Sequence, residues 1–389
     1  MRLLLALATA AILLGACTES PKPSTPLPPP KPTGPQAGSP TTESGKARIA
    51  LLLPLSGRSA AIGQSMQQAA EMALFDTGAK DLALAAYDSG ETGDSAIQAY
   101  NKARTDGVAL MLGPLFGASA SALGPMRRSD RINIIAFSND ESVAQPGLWV
   151  MGIAAPPQVR RVVDYSVSTG IRRFAVLAPR TAYGEQMTST LQSQVAIRGG
   201  SVIGAEIYDE GGDVTAAAKR IAEAARAGDG KVAVLLPVAP PRVTTALAAL
   251  AGAGLEAKQV QLIGTGVWDV PGIGSDPQLR GAWYAAPDPA RRADFERKYV
   301  SAYGRPPHRL ATLAYDAVSL AGQLARVKPG GDFSAEAITN PNGWSGVDGV
   351  FRFLPDGRTE RALAVIEVQG DRGVVVNPAP TTFAGRPTN

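Results

Sequence analysis

The 389-residue sequence contains one cysteine and one histidine. An intrachain disulfide requires two cysteines, so Cys17 can form none. Zinc sites and most transition-metal sites use several histidine or cysteine ligands, and one copy of each excludes such a site. We therefore predict no metal and no other cofactor, and we expect the fold to depend on its hydrophobic core.

Residue patterns typical of catalysis and of nucleic-acid binding are also absent from the sequence. His308 lies in the polar turn Arg305-Pro-Pro-His-Arg309, where we expect an exposed structural role rather than a general base. Ser56 lacks the Gly-x-Ser-x-Gly motif of a nucleophile elbow. No run of lysine and arginine reaches five residues, which excludes a basic stripe for nucleic acid. The sequence therefore predicts neither an enzyme nor a nucleic-acid-binding protein.

The first residues have the pattern of an export signal. Arg2 is followed by an uncharged apolar run from Leu3 to Leu14 and then by small residues. This run is too short to remain in the bilayer as a spanning helix, so we predict that residues 1–16 are a signal peptide. Leu14-Gly-Ala-Cys17 resembles the lipobox of bacterial lipoproteins. The resemblance implies lipidation of Cys17, and Thr18 in place of aspartate favours the outer membrane over the inner one.

The segment after the cysteine is rich in proline and poor in apolar residues. Nine prolines fall between Ser20 and Gly45. Such a segment cannot bury a core and favours extended polyproline II conformations, which rise about 3.1 Å per residue. We predict that residues 17–46 form a disordered tether between the membrane and a folded domain.

From Ala47 onwards, apolar strand patterns alternate with helical patterns. The uninterrupted apolar run before Pro54 is typical of a strand buried on both faces. Strict alternation predicts an α/β fold class with parallel sheets, and its repetition after residues 152–157 predicts two Rossmann-like lobes separated by a cleft. We expect the chain to cross between the lobes about three times. The predicted boundaries are 47–378 for the whole domain, 47–153 and 287–328 for lobe 1, 154–286 and 329–378 for lobe 2, and 379–389 for a disordered tail.

Ligands of open parallel sheets collect at the carboxyl ends of the strands. The loops at these ends should therefore line the predicted cleft. Trp268 and Tyr183 are candidates for stacking on a ligand or partner, with simple packing as the alternative, and Ser56 follows the first strand. The full set of candidate cleft residues is Ser56, Gly117, Ser119, Ser138, Asn139, Asp140, Tyr183 and Trp268.

Several of these loops resemble the type I periplasmic binding fold, in its leucine-binding branch. The resemblance is carried by Ile49-Ala-Leu-Leu-Leu-Pro-Leu-Ser-Gly57, Tyr87-Asp-Ser89, Met111-Leu-Gly-Pro114 and Tyr183-Gly-Glu185, and it extends over most of residues 47–378.

Amino-acid receptors of this branch hold the α-carboxylate and α-ammonium with hydroxyls, backbone N–H groups and an acidic side chain. The resemblance implies that Ala239 replaces a second tyrosine of that site and that Thr265 or Gly266 replaces its glutamate. Asp140 remains as the acid that could receive an ammonium group. The matching positions for the rest of the site are Gly117, Ser119, Ser138, Asn139 and Tyr183.

Within this branch the chain is most similar to the C-terminal domain of LpoA-type lipoproteins, which activate penicillin-binding proteins. Leu177–Gly184 and Tyr315-Asp-Ala317 carry this similarity, whereas a proline-rich segment stands where the enterobacterial proteins have a helical-repeat domain. The resemblance implies a non-enzymatic, lipid-anchored protein on the periplasmic side of the envelope that docks on a peptidoglycan synthase. The alternative is a solute receptor that delivers an amino acid or related molecule to an ABC importer. A complete polar set in the cleft would favour the receptor.

Overall fold

Two sheets of mainly parallel strands form the centres of two lobes in the computed structural model, which describes residues 45–370 and 372–383. The predicted signal peptide, Cys17 and nearly all of the predicted tether lie outside these residues. No helix within the described ranges has the length and apolar character needed to cross a membrane.

The first lobe begins with alternating strands and helices: β1 (Ala47–Leu53), α1 (Ala60–Thr77), β2 (Leu82–Asp88), α2 (Gly93–Thr105), β3 (Leu110–Leu112), α3 (Gly117–Asp130), β4 (Asn133–Ala136) and β5 (Leu148–Val150). The five strands are parallel, in the order β2-β1-β3-β4-β5. Side chains alternate across a strand, so Leu51 packs with α1 whereas Leu52 packs with α2 and α3. This burial on both faces explains the uninterrupted apolar run.

The chain then crosses into the second lobe and repeats the alternation: α4 (Ala155–Ser168), β6 (Arg173–Pro179), α5 (Ala182–Ile197), β7 (Ser201–Tyr208), α6 (Thr215–Arg226), β8 (Val232–Leu235), α7 (Arg242–Gly252), β9 (Gln261–Gly264) and β10 (Trp283–Ala286). These strands are parallel, in the order β10-β9-β8-β6-β7. Phe174 packs with α4 and α5, and Leu177 packs with α6 and α7 on the opposite face.

A second crossing returns the chain to the first lobe: α8 (Pro289–Tyr303), α9 (Ala311–Ala325), α10 (Ala335–Ile338), β11 (Trp344–Gly346), β12 (Gly349–Phe353) and β13 (Thr359–Arg361). The three strands form a small antiparallel sheet. Phe351 and Phe353 lie in the same hydrophobic core as α1 and α9, and the ring of Phe353 lies 6.0 Å from that of Trp149 in β5.

The third crossing leads to β14 (Ala364–Gln369) and β15 (Arg372–Asn377), which extend the second sheet beyond β10 with antiparallel pairing. The α/β class, the two lobes and the three crossings are confirmed. One predicted boundary is corrected, because residues 333–361 pack on lobe 1 and only the last two strands return to lobe 2. Alternating apolar residues show that a strand has a buried face, and they do not show which core receives it.

Candidate functional site

A cleft of about 540 Å³ lies between the two lobes. Lobe 1 contributes the loops after β3 and β4 and the start of α9, and lobe 2 contributes the start of α4, Tyr183 and the loop after β9. The carboxyl ends of the parallel strands meet here, as expected for a ligand site of an open α/β sheet.

Three candidates predicted from the sequence line the wall formed by lobe 1. Gly117 begins α3, and Ser138 and Asn139 follow β4. The Oγ of Ser138 accepts a hydrogen bond from the backbone N–H of Asp140 over 3.0 Å, which fixes the side chain in the loop. These residues bring small polar groups to one edge of the cleft.

Three other candidates do not line the cleft. Ser119 is fully buried, and its hydroxyl donates to the carbonyl of Thr92 over 3.2 Å. Asp140 is exposed, and its Oδ1 accepts from the backbone N–H of Ser142 over 2.9 Å, so it caps the short turn that follows. Ser56 is exposed in the turn after β1. Their bonds to the backbone and their positions are those of capping and turn residues.

On the opposite wall, Tyr183 lines the cleft at the start of α5. Its hydroxyl lies 2.6 Å from Oγ1 of the buried Thr265, and burial raises the pKa of Tyr183. The next residue in that loop, Gly266, donates its backbone N–H to Oε1 of Gln158 over 2.5 Å. Two side chains of lobe 2 therefore hold the loop after β9 in place.

Trp268 belongs to the core of lobe 2 and does not line the cleft. Its side chain is fully buried, and Nε1 donates to the carbonyl of Val238 over 2.8 Å. The indole packs directly over Gly264, where a β-carbon would lie 2.4 Å from the ring. Gly264 has no side chain and therefore leaves space for the ring. The ring is buried in this position and cannot stack on a ligand in the cleft.

Sequence reasoning missed Arg309, which lines the cleft just before α9. Its Nη1 and Nη2 atoms lie 3.2 and 3.1 Å from the two carboxylate oxygens of Asp348. Asp348 is completely buried and also accepts from the hydroxyl of Thr312 over 2.6 Å. Burial by itself would raise the pKa of Asp348, but Arg309 and Arg361 outweigh it and lower that pKa. Arg309 is thus a fixed cation, and its side chain stays 35% exposed.

Asp269 is the second charged residue of the cleft that the sequence did not reveal. Its carboxylate is held by Arg292 of α8, with Nη1 to Oδ2 at 2.6 Å and Nη2 to Oδ1 at 3.3 Å. Its position directly after the candidate residue Trp268 was the only signal in the sequence. Pairing between an acid in lobe 2 and a helix of lobe 1 depends on the fold of both lobes.

The sequence of the folded part matches an established protein family. A family model described as "Periplasmic binding protein" matches residues 46–373. The chain belongs to the periplasmic binding protein family. The resemblance to the type I periplasmic binding fold is therefore confirmed.

Solved structures agree with this assignment at the level of the fold. A proposed branched-chain amino acid ABC transporter from Rhodospirillum rubrum has a TM-score of 0.75 and 21% identity, with 85% of this chain and 100% of that chain covered. A branched chain amino acid ABC transporter periplasmic ligand-binding protein from Burkholderia xenovorans has a TM-score of 0.68, 15% identity and coverage of 88% and 97%. A solute binding protein from Rhodopseudomonas palustris, in complex with 3,4-dihydroxy benzoic acid, has a TM-score of 0.60, 17% identity and coverage of 87% and 97%.

Two curated relatives match only part of this periplasmic binding protein. An uncharacterized protein from Rickettsia prowazekii is 25% identical over 168 residues, which are 43% of this chain and 45% of that protein. The penicillin-binding protein activator LpoA from Photobacterium profundum is 26% identical over 150 residues, which are 38% of this chain and 24% of that protein. The chain therefore aligns with less than half of the length of either relative.

The side chains of the cleft favour binding over catalysis. Most lining residues are apolar, among them Phe116, Phe137 and Leu313, and a few polar groups lie between them. The described residues that line the cleft include no histidine, cysteine or lysine. Nor do the described ranges contain a group of three histidine, cysteine or acidic residues arranged to hold a metal ion.

Proposed function

We propose that this periplasmic binding protein is a receptor that encloses a small organic solute between its lobes and presents it to an ABC importer. The observation that supports this function best is the cleft of about 540 Å³ with walls from both lobes. Pockets for small molecules commonly measure about 300–1,000 Å³ and are mostly apolar with a few placed polar groups. A structural neighbour of the same fold is described in complex with 3,4-dihydroxy benzoic acid, which is a molecule of suitable size.

The connections between the lobes suit a hinged receptor. Three segments join the lobes, near residues 151–154, 286–288 and 361–363. Arg361 of the third segment donates from Nη2 to the carbonyl of Met151 in the first, over 3.2 Å. A ligand that contacts both walls makes its full set of contacts only when the lobes are closed, so binding shifts the population toward the closed form.

A ligand screen tests the receptor function. Calorimetry of the purified protein with a panel of amino acids, organic acids and amides should find a compound that binds with a Kd in the micromolar range. The variant Val270→Arg places a long side chain in the cleft and should abolish binding, because Val270 lines it and is already 41% exposed. The control Val327→Arg, near the end of α9 and outside the cleft lining, should bind normally. A panel without any binding compound contradicts the receptor function.

The anchor of this receptor is part of the same proposal. Lipidation of Cys17 would hold the domain on the periplasmic side of the envelope, in the outer membrane, with residues 17–46 as the tether. Cys17→Ser should move the protein from the membrane fraction to the soluble fraction, whereas Ser20→Ala should leave it with the membranes. Retention of Cys17→Ser in the membrane fraction argues against the anchor.

Activation of a penicillin-binding protein is the second candidate function. It is favoured by the partial identity to LpoA from Photobacterium profundum and by the predicted lipid-anchored tether. Reconstitution of the full chain with a purified penicillin-binding protein distinguishes the two functions. Faster glycan polymerisation or crosslinking, undiminished in Val270→Arg, supports activation through a docking surface outside the cleft. Unchanged synthase activity together with solute binding supports the receptor.

A further inference from the structure

We propose that the solute is a carboxylic acid with an apolar body and no α-ammonium group, and that Arg309 binds its carboxylate. This inference rests on the receptor function proposed above and names the class of ligand for the same cleft. It differs from the amino-acid site that the family resemblance implies. Three observations carry it.

The first observation concerns the positive charge in the cleft. Arg309 is the only cationic residue among the described residues that line it. Nη1 donates to Oδ2 of Asp348 and to Oγ1 of Thr312, and Nη2 lies within ion-pair distance of Asp348 and Asp269. These contacts leave the Nε–H unused, and because the side chain is 35% exposed, the guanidinium can also receive a ligand carboxylate. The ion pair with Asp348 holds the guanidinium in a fixed orientation.

The second observation concerns the acid in the cleft. Asp269 is the only acidic residue among the described lining residues, and both of its oxygens accept hydrogen bonds from Arg292. The charge of Asp269 is therefore already balanced by Arg292, and Nη2 of Arg309 lies 3.9 Å from its Oδ2, so an α-ammonium group would enter the cleft beside two cations. Little net negative charge is left to compensate the ammonium group for its removal from water.

The third observation concerns the amino end of α3, where the resemblance places the site positions Gly117 and Ser119. The carboxylate of Asp140 already lies there, since a β-carbon on Gly117 would be 3.0 Å from its Oδ2. The hydroxyl of Ser119 is committed to the carbonyl of Thr92. A ligand carboxylate would be repelled by Asp140 at this position, and the Ser119 hydroxyl could not bind it. Arg309 offers a carboxylate the better position.

Matched compounds test the class of ligand. Calorimetry at pH 6.5 compares 4-methylpentanoate with leucine, which adds the ammonium group, and with 4-methylpentanamide, which lacks the charge. A second series uses 3-phenylpropanoate, phenylalanine and 3-phenylpropanamide. In at least one series, we expect the acid to bind at least about tenfold more tightly than both of its relatives.

Variants test the role of Arg309. Arg309→Gln alone leaves Asp348 buried without its cation, so the double variant Arg309→Gln/Asp348→Asn replaces the pair with two neutral amides. The double variant should lose the preference for acid over amide while its affinity for the amide is unchanged. Arg309→Lys should keep part of the preference because it keeps the charge. Arg297→Gln, on the exposed side of α8, is the control and should bind like the wild type.

Three results overturn the inference. They are tighter binding of the amino acid than of its acid, tighter binding of an amide than of its acid, and an acid preference that persists in the folded double variant. In each case the receptor function stands, because a solute still binds. If none of these compounds binds, and the compound of the wider panel that does bind is not an apolar carboxylic acid, the inference fails alone. The absence of any binding compound contradicts the receptor function itself.

Discussion

Arg292 and Asp269 connect the two lobes through a pair of hydrogen bonds, 2.6 and 3.3 Å long. Arg292 lies in α8, which packs on α1 in lobe 1, whereas Asp269 follows β9 in lobe 2. Their side chains are 17% and 12% exposed, so water screens the pair only weakly. The pair therefore helps to fix the distance between the two lobes at one end of the cleft.

Removal of the cation from this pair should destabilise the protein. In Arg292→Met the aliphatic volume remains but Asp269 keeps a largely buried charge without its bidentate partner. We expect the free energy of unfolding to fall by about 3 kcal/mol, measured by urea denaturation. Arg297→Gln, which breaks an exposed pair with Asp294, is the control and should change it by less than about 0.5 kcal/mol. Equal effects of the two substitutions would contradict a structural role for the interlobe pair.

The buried Asp316 should make stability depend on pH. Burial, with the charge of Asp348, raises its pKa from 3.8 to about 7, so between pH 4 and 7 the folded chain holds a proton that the unfolded chain has released. The free energy of unfolding should therefore fall as pH rises through this range, by up to about 1.4 kcal/mol per pH unit, and remain at the lower value above pH 7.

The variant Asp316→Asn should remove this dependence. Its side-chain oxygen can still accept from the backbone N–H of Val347, a bond of 2.7 Å in the native protein. The variant should become progressively more stable than the wild type between pH 4 and 7 in urea denaturation. Asp229→Asn, in an exposed turn, is the control and should reproduce the wild-type profile. A constant difference between Asp316→Asn and the wild type across this range would refute the assignment.

Position 152 requires glycine because two backbone segments approach each other closely at the first crossing between the lobes. A β-carbon at this position would lie 2.4 Å from the carbonyl oxygen of Ser138 and 2.6 Å from the nitrogen of Asn139. Gly152→Ala should therefore lower the free energy of unfolding by about 1–3 kcal/mol and displace the loop that lines the cleft. Gly252→Ala, at the end of α7 with open space around it, is the control and should be neutral or stabilise by up to about 1 kcal/mol. Urea denaturation of both variants measures the contrast, and similar values would contradict the prediction.

The hydroxyl of Tyr183 should stabilise the folded protein rather than bind the solute. Because it is bonded to buried Thr265, Tyr183→Phe and Thr265→Val should each lower the free energy of unfolding by about 1 kcal/mol. A double-mutant cycle should give a coupling energy of about 1 kcal/mol, while the affinity of Tyr183→Phe for a solute changes little. Tyr208→Phe, on the partly exposed strand β7, is the control. A coupling energy of zero together with a large loss of affinity would assign the hydroxyl to the ligand.

The sequence predicted the position of the cleft more accurately than the identity of the residues that line it. Gly117, Ser138, Asn139 and Tyr183 line it because strand order places their loops at one edge. The choice between stacking and packing for Trp268 stayed open because the sequence does not show on which side of its loop an aromatic ring lies. The two charged residues of the cleft were missed because Arg309 and Asp269 acquire their significance from partners in distant segments.

The sequence by itself determined the α/β class, the number of lobes and the strand ends at which the cleft lies. These follow from local periodicity, since burial on both faces of a parallel sheet demands uninterrupted apolar strands. Only the tertiary structure decided which lobe receives β11–β13, which carboxylates are neutralised and which cation stays open to the cleft. All three are set by contacts between segments far apart in the chain. The state of the carboxylates and of the cation depends in addition on the distance between charges and on their removal from water.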